Sequence, residues 1–203
     1  LGYTGYPELI REVRTIVRGE LGAESGAQAG PESRAVVALL RAQVEELERM
    51  ISHVSPEALV SLVDLLSAAR HIHIVGQGVM APLARLLDTA LRLHGMSVVA
   101  TTDELWALSV TLTELGSEDV LLVVSASEQG AVLANAIRLA RKQGATTIAI
   151  TCSPVSPSAR ASDLTLTCAI PSTDSLAEIA PMALMINIVI ALLARRKQSD
   201  VAA

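Results

Sequence analysis

Hydrophobic positions follow two different rhythms along the chain, and the change falls near His71. Before it the spacing is helical. In Glu8 to Leu21 the residues Leu9, Ile10, Val13, Ile16 and Val17 recur at helical spacing with Arg11, Arg14 and Arg18 on the other side, which predicts a short amphipathic helix. Ser33 to Ile51 places Val36, Leu40, Val44, Leu47 and Ile51 on one face and Glu45, Glu46, Glu48 and Arg49 mostly off it, so a second helix is expected. Ser55-Pro56-Glu57 supplies a cap, a proline suited to a first helical position and an early acid, predicting a third helix to about Ala69. Between the first two helices, Gly22 to Pro31 is small and polar and reads as a linker.

From His71 onward, short apolar runs alternate with helical segments, the signature of βα units and a parallel sheet. Strands are predicted at Ile72–Val75, Ser97–Ala100, Val120–Ser125, Thr147–Thr151 and Leu164–Cys168. Helices follow at about Ala81–His94, Asp103–Glu114, Gly130–Gln143 and Ser175–Arg195. The expected fold is α/β, a doubly wound flavodoxin-like sandwich of about five parallel strands preceded by N-terminal helices.

Composition narrows the functional classes. At 203 residues, with 51% hydrophobic and 18% charged positions, the chain suits one medium domain and excludes disorder. Aromatics are 1%, with no Phe, so the core must be aliphatic and stacking platforms for single-stranded nucleic acid are excluded. A net charge of -5 has the wrong sign for gripping phosphate backbones, and this chain alone is not expected to bind DNA specifically. Cys152 and Cys168 make neither a disulfide framework nor a metal pattern, which favours a reducing, cytoplasmic setting. The longest apolar stretch, Ala180 to Ala194, falls short of the roughly 20 residues of a spanning helix and carries Pro181 and Asn187, so no membrane is expected. That stretch is apolar on nearly every face from Ile179 to Leu193, which predicts a homo-oligomer, at least a dimer, with this helix in or beside the interface. Because it starts at Leu1 within a structured-looking segment, the chain is expected to be a fragment.

Three strand-to-helix loops are candidates for chemistry. Gly76-Gln77-Gly78-Val79-Met80-Ala81 fits a Gly-x-Gly-x-x-Ala dinucleotide spacing, with Asp103 placed for a ribose, although glycines that simply make a tight turn explain it equally. Ser125 to Gly130 sets hydroxyls, including Ser127, before a helix start, where orphan N–H groups and the dipole favour an anion. Glu128 complicates that reading, since its carboxylate can cap those donors itself and repel a phosphate. Thr151 to Ala159, with Ser153, can close over a ligand or be a plain connection. His71 and His73 share a strand face without a third ligand, so no metal is expected. Glu178, near the start of the last helix, is either a base or ordinary dipole chemistry. Trp106 reads as an interface or core anchor. No nucleophile arrangement and no cofactor requirement is visible.

The stretch His71 to Arg195 resembles a sugar isomerase (SIS) domain. The blocks that carry the likeness are Ile-His-Ile-Val-Gly-Gln-Gly, Glu-Asp-Val-Leu-Leu-Val-Val-Ser-Ala-Ser, Gly-Ala-Thr-Thr-Ile-Ala-Ile-Thr and Ser-Pro-Ser-Ala-Arg-Ala-Ser-Asp-Leu-Thr-Leu, in the family's order and spacing. Upstream, Leu1-Gly-Tyr-Thr-Gly-Tyr-Pro-Glu-Leu resembles the end of the helix-turn-helix domain of RpiR-type transcriptional regulators. The resemblance implies a tail of that domain at 1–21, a linker at 22–32 and an effector-binding SIS domain at 33–203. It implies a bacterial homo-oligomer that senses a sugar-like effector and binds operator DNA through its N-terminal domain. The effector residues it implies are Gly76, Gln77, Gly78 and Met80 in the first loop, Ser125, Ser127, Glu128 and Gly130 in the second, and Thr151, Ser153 and Glu178 beyond. The sequence departs from the family's phosphate loops at Met80, Glu128 and Gly130, so the effector is expected not to be a simple phosphosugar unless Arg85 or Arg160 turns inward. The alternative is an SIS-fold isomerase or lyase acting on a sugar phosphate; a nicotinamide-dependent dehydrogenase is a third reading, for which no cofactor binding is expected.

Overall fold

The computed structural model describes residues 30–102, 105–126, 131–168 and 178–202. Contacts divide the chain after Leu47, and Glu48–Ala203 form the compact α/β unit. Helix α1 (Pro31–His53) starts at the proline that ends the small-residue stretch. Helix α2 (Pro56–Ala68) begins as its sequence dictates: the Ser55 hydroxyl accepts a hydrogen bond from the Ala58 N–H at 3.1 Å, and Pro56 sits where no backbone donor is needed. Its buried residues Leu59, Leu62, Val63 and Leu66 form one helical stripe.

Strands and helices then alternate as β1 (Ile72–Gly76), α3 (Ala81–Leu93), β2 (Val98–Thr102), α4 (Leu105–Glu114), β3 (Val120–Ser125), α5 (Ala131–Lys142), β4 (Thr146–Thr151), α6 (Pro157–Ala161), β5 (Leu164–Thr167) and α7 (Ile179–Ala202). The five strands are parallel in the order β2-β1-β3-β4-β5. This is the doubly wound fold, with its switch point between β1 and β3. Alternate side chains fill both faces. Ile72, Ile74, Leu122, Val124, Ile148 and Ile150 meet α2, α3 and α7, whereas Val75, Leu121 and Val123 meet Leu108 and Leu112 of α4, Leu133 and Ile137 of α5 and Ala161 of α6. A parallel sheet covered on both sides needs continuous apolar strands, which is why all of β3 is buried.

Two elements differ from expectation. Helix α6 overlaps the end of the segment read as a loop and runs two residues past it, and its start repeats the signal used at α2: Ser156 caps it through the Ala159 N–H at 3.1 Å, and Pro157 follows. Five residues are too few for apolar periodicity to reveal. Helix α7 is longer than predicted, and its Ile179–Gln198 portion reaches 20 residues at a mean hydropathy of 1.7, so by length and composition it could cross a membrane after all. Here it packs on the sheet, burying Met182, Met185, Ile186, Val189 and Leu193 with α2 and α3 alongside. The packing leaves Ile179, Leu184, Ile188, Ile190 and Leu192 half-buried, so part of the apolar circumference still meets water. Its most exposed line runs through Ala180, Asn187 and Ala191.

At the amino edge of the sheet, Arg70 donates two hydrogen bonds to Asp119, at 3.1 and 2.9 Å, and the Gly116 N–H donates a third at 2.8 Å. Asp119 is 1% exposed. Burial pushes its carboxyl up, but the Arg70 hydrogen bond, the Gly116 N–H and the Arg70 charge outweigh burial and hold it below the usual carboxylate range. The pair ties the start of β1 to the start of β3. Nearby, His73 is buried on β1 with Nδ1 lacking a partner among the described residues. Burial pushes its pKa down, against the pull of Asp119 and Glu114.

Candidate functional site

The carboxyl edge of the sheet gathers most of the described candidate residues. Register places Gly76 beside both Thr102 and Val124, Ser125 beside Thr151, and Thr151 beside Thr167. Ser125 and Thr151 share the strand parity of Leu121, Val123 and Thr147, so both point toward the α4–α5–α6 layer. Both are fully buried, and neither hydroxyl has a hydrogen-bond partner among the described residues. Ser158 on α6, three residues before the buried Ala161 of the same layer, is a third fully buried hydroxyl without a partner. Buried hydroxyls are ordinarily satisfied, so three left open on one side of the sheet call for a polar molecule to complete them. Ser158 was missed in the sequence because it lies in a Ser-Pro-Ser run with no periodic signal to give it a direction.

The first loop follows backbone geometry. A Cβ on Gly76 would lie 2.6 Å from the Ala84 Cβ and 3.0 Å from the Met80 carbonyl oxygen, so strand and helix approach too closely for any other residue. Gly78 has φ +56°, the left-handed region, and opens a 3-10 turn, Gly78–Met80. The turn itself demands these glycines, which need no dinucleotide to explain them. Gly76→Ala is expected to destabilise the domain by about 1–3 kcal/mol through overpacking, measurable by denaturant unfolding; an unchanged midpoint would show that α3 moves freely. Gln77 is half-buried beside the turn. Met80 is fully buried in the aliphatic core, so the residue expected to face an effector instead anchors the loop from beneath. On α3, Arg85 donates to the Thr102 hydroxyl at 2.5 Å, which places a cation at the carboxyl end of β2. Arg160 is exposed on α6.

Beyond β4, Ser153 is half-buried and accepts a 3.4 Å hydrogen bond from the Val155 N–H. Cys152 lies beneath, its thiol donating to the Glu178 carbonyl at 3.9 Å, while the Cys168 thiol contacts the Met182 sulfur at 3.4 Å. The hydrogen bond with Cys168, burial and nearby negative charge together push the Cys152 thiol far up, so it is a packing group and not a nucleophile. Glu178 is buried and its carbonyl accepts the Met182 N–H at the entry to α7. The structure therefore brings Thr151, Cys152 and Glu178 to one edge, next to Ser125. Ser127, Glu128, Gly130 and Asp103 lie outside the described residues, as does the side chain of Trp106. His71, on the exposed end of β1, meets the Ser97 hydroxyl at 2.7 Å, and no group of three metal-binding side chains occurs among the described residues.

The chain is similar to known proteins in sequence and fold. The profile of the SIS domain family matches residues 65–195. The HTH-type transcriptional regulator HexR of Pseudomonas aeruginosa is 28% identical over 175 residues, covering 84% of this chain and 60% of HexR, so the chain spans well under two thirds of that relative's length. Among solved structures, the sugar isomerase domain of an RpiR transcription factor from Sphaerobacter thermophilus superposes with a TM-score of 0.73 at 27% identity, over 80% of this chain and 91% of that one. The Vibrio vulnificus NanR protein complexed with ManNAc-6P gives 0.74 at 18% identity, over 98% of this chain and 72% of NanR. With its parallel five-stranded sheet, its glycine turn after β1 and a family match across most of its length, the chain belongs to the SIS domain family.

Proposed function

We propose that this chain is the effector-sensing part of an RpiR-type transcriptional regulator, and that its effector is a small sugar-like molecule seated on Ser125, Thr151 and Ser158. The observation that carries the site is the set of three buried hydroxyls without partners among the described residues on one side of the sheet's carboxyl edge. A polyhydroxylated ligand supplies the donors and acceptors these groups lack. The likeness to HexR and to the S. thermophilus RpiR factor supports a regulatory role over catalysis, and the NanR complex supports a sugar-derived effector. In this reading residues 1–21 are the tail of a helix-turn-helix domain, 22–32 a linker and 33–203 the SIS domain, in a cytoplasmic homo-oligomer without a cofactor. Effector binding changes the geometry between subunits and so the spacing of attached DNA-reading domains against their half-sites.

A thermal-shift screen of phosphorylated and unphosphorylated sugars tests it, because a ligand of the native state raises the melting temperature by mass action. Ser125→Ala is expected to leave the unliganded protein as stable or more so, since no internal hydrogen bond is lost, and to weaken the effector by about 1–2 kcal/mol. No response to any sugar, or an equal response from the variant, overturns the proposed site. Steady turnover of a sugar phosphate by the purified chain overturns the regulator in favour of the isomerase reading.

A further inference from the structure

We infer that α1 is an association surface and that its partner is the α1 of a second copy of this chain, packed in parallel. Met50 is the one buried residue of this 23-residue helix. Val36, Leu39, Leu40 and Ile51 are 55, 68, 50 and 46% exposed and Val37, Val44 and Leu47 are half-buried, all within one apolar sector of the helix. An isolated helix is marginal in water, so a stripe of this size calls for cover. The choice of residues indicates what covers it. Val37, Leu40, Val44, Leu47 and Ile51 follow a strict alternation of three and four, with a β-branched residue at every first core position of the heptad and leucine at every second. That division favours two parallel strands, because each position packs its knobs in a different orientation. Sheet-packing helix α3 buries Leu83, Ala84, Leu87 and Leu91, with no β-branched residue among them, and although α2 and α7 bury Val63, Ile186 and Val189, these do not alternate with leucine in a three-four register.

The other occupant on offer is the chain's own amphipathic segment, Glu8 to Leu21, tethered by the small-residue linker. Its apolar residues have no heptad division, so the second copy is the better match. A seam of two heptads is too short to hold two chains together unaided. It adds to association and sets its direction, so the readout must be proximity and not mass alone.

The test is oxidative cross-linking of the full chain carrying Leu40→Cys or Ala38→Cys, with the parent as background for the buried native thiols. Leu40 lies on the seam and Ala38 off it, so the Leu40→Cys chain should form a covalent dimer about tenfold faster than the Ala38→Cys chain. Circular dichroism melts check that both variants fold as the parent does. Equal rates, or no covalent dimer from Leu40→Cys, overturn the inference. A double variant, Leu40→Cys with Val13→Cys, that closes within one chain also overturns it and gives the stripe to residues 8–21. Neither effector nor DNA enters the measurement, so its outcome is separate from that of the regulator proposal.

Discussion

Glu128→Gly is expected to raise the affinity for a sugar phosphate about ten- to hundredfold. In the sequence Glu128 lies between Ser125, the last residue of β3, and Ala131, the first of α5, the segment whose orphan N–H groups favour an anion. A carboxylate there competes for the donors a phosphate would use. Two negative charges held about 6 Å apart cost about 1.5–3 kcal/mol at an effective dielectric of roughly 20–40, the order of the expected gain. Isothermal titration of parent and variant with phosphorylated and unphosphorylated forms of one sugar separates charge from shape. The gain should be confined to the phosphorylated form. If the parent already binds a phosphosugar at micromolar affinity through this loop and Glu128→Gly changes nothing, the charge argument is wrong, and Arg85 is the first residue to inspect for the compensating cation.

Removing the Asp119 carboxylate is expected to cost about 3 kcal/mol, since Asp119→Ala takes away a charged hydrogen-bond acceptor and leaves the Gly116 N–H open. The pH dependence follows from two groups. Asp119 titrates lower in the fold than in the open chain, so its contribution is complete above its ordinary value of 3.8 and is lost as the pH falls through the lower folded value. His73 also titrates lower in the fold, because burial favours its neutral form. The unfolded chain therefore takes up its proton first, and stability declines as the pH drops below the ordinary 6.5 toward the folded value. Melting temperature should thus fall in two stages on acidification. His73→Leu should flatten the upper stage. Asp119→Ala should remove the lower one and deepen the upper, because the carboxylate that helps His73 hold a proton is gone. A parent melting temperature that is flat from neutral to mildly acidic pH would refute the assignment to His73.

The legibility of the sequence varied with the physical basis of each signal. Strand β3 has the same bounds in sequence and structure, because six buried positions in a parallel sheet leave an uninterrupted apolar run. Edge strand β2 was displaced, since its Thr101 and Thr102 resemble loop residues until Thr111 and Arg85 are seen to satisfy their hydroxyls. The first loop was read at the right place, but Met80 was given to the ligand. Loop membership does not tell direction, and the 3-10 turn rotates that side chain into the core. For the last helix, hydrophobicity around the whole circumference suggests a partner subunit; sheet, α2 and α3 bury one side of it and leave Leu184, Ile188, Ile190 and Leu192 half-buried.

Local patterns alone determined the alternation of strands and helices, the capped start of α2 and the aliphatic character of the core, because each depends on residues close together in the chain. Period two gives His71 and His73 a shared face, but not that His73 is buried while His71 is exposed. Register, depth and direction were left to the tertiary structure. Only the pairing of β3 with β4 places Ser125 beside Thr151, and only the packing of α6 brings Ser158 into the same layer. That these three hydroxyls have no partner among the described residues is a property of their surroundings, which distant segments create, and no spacing within the chain encodes it.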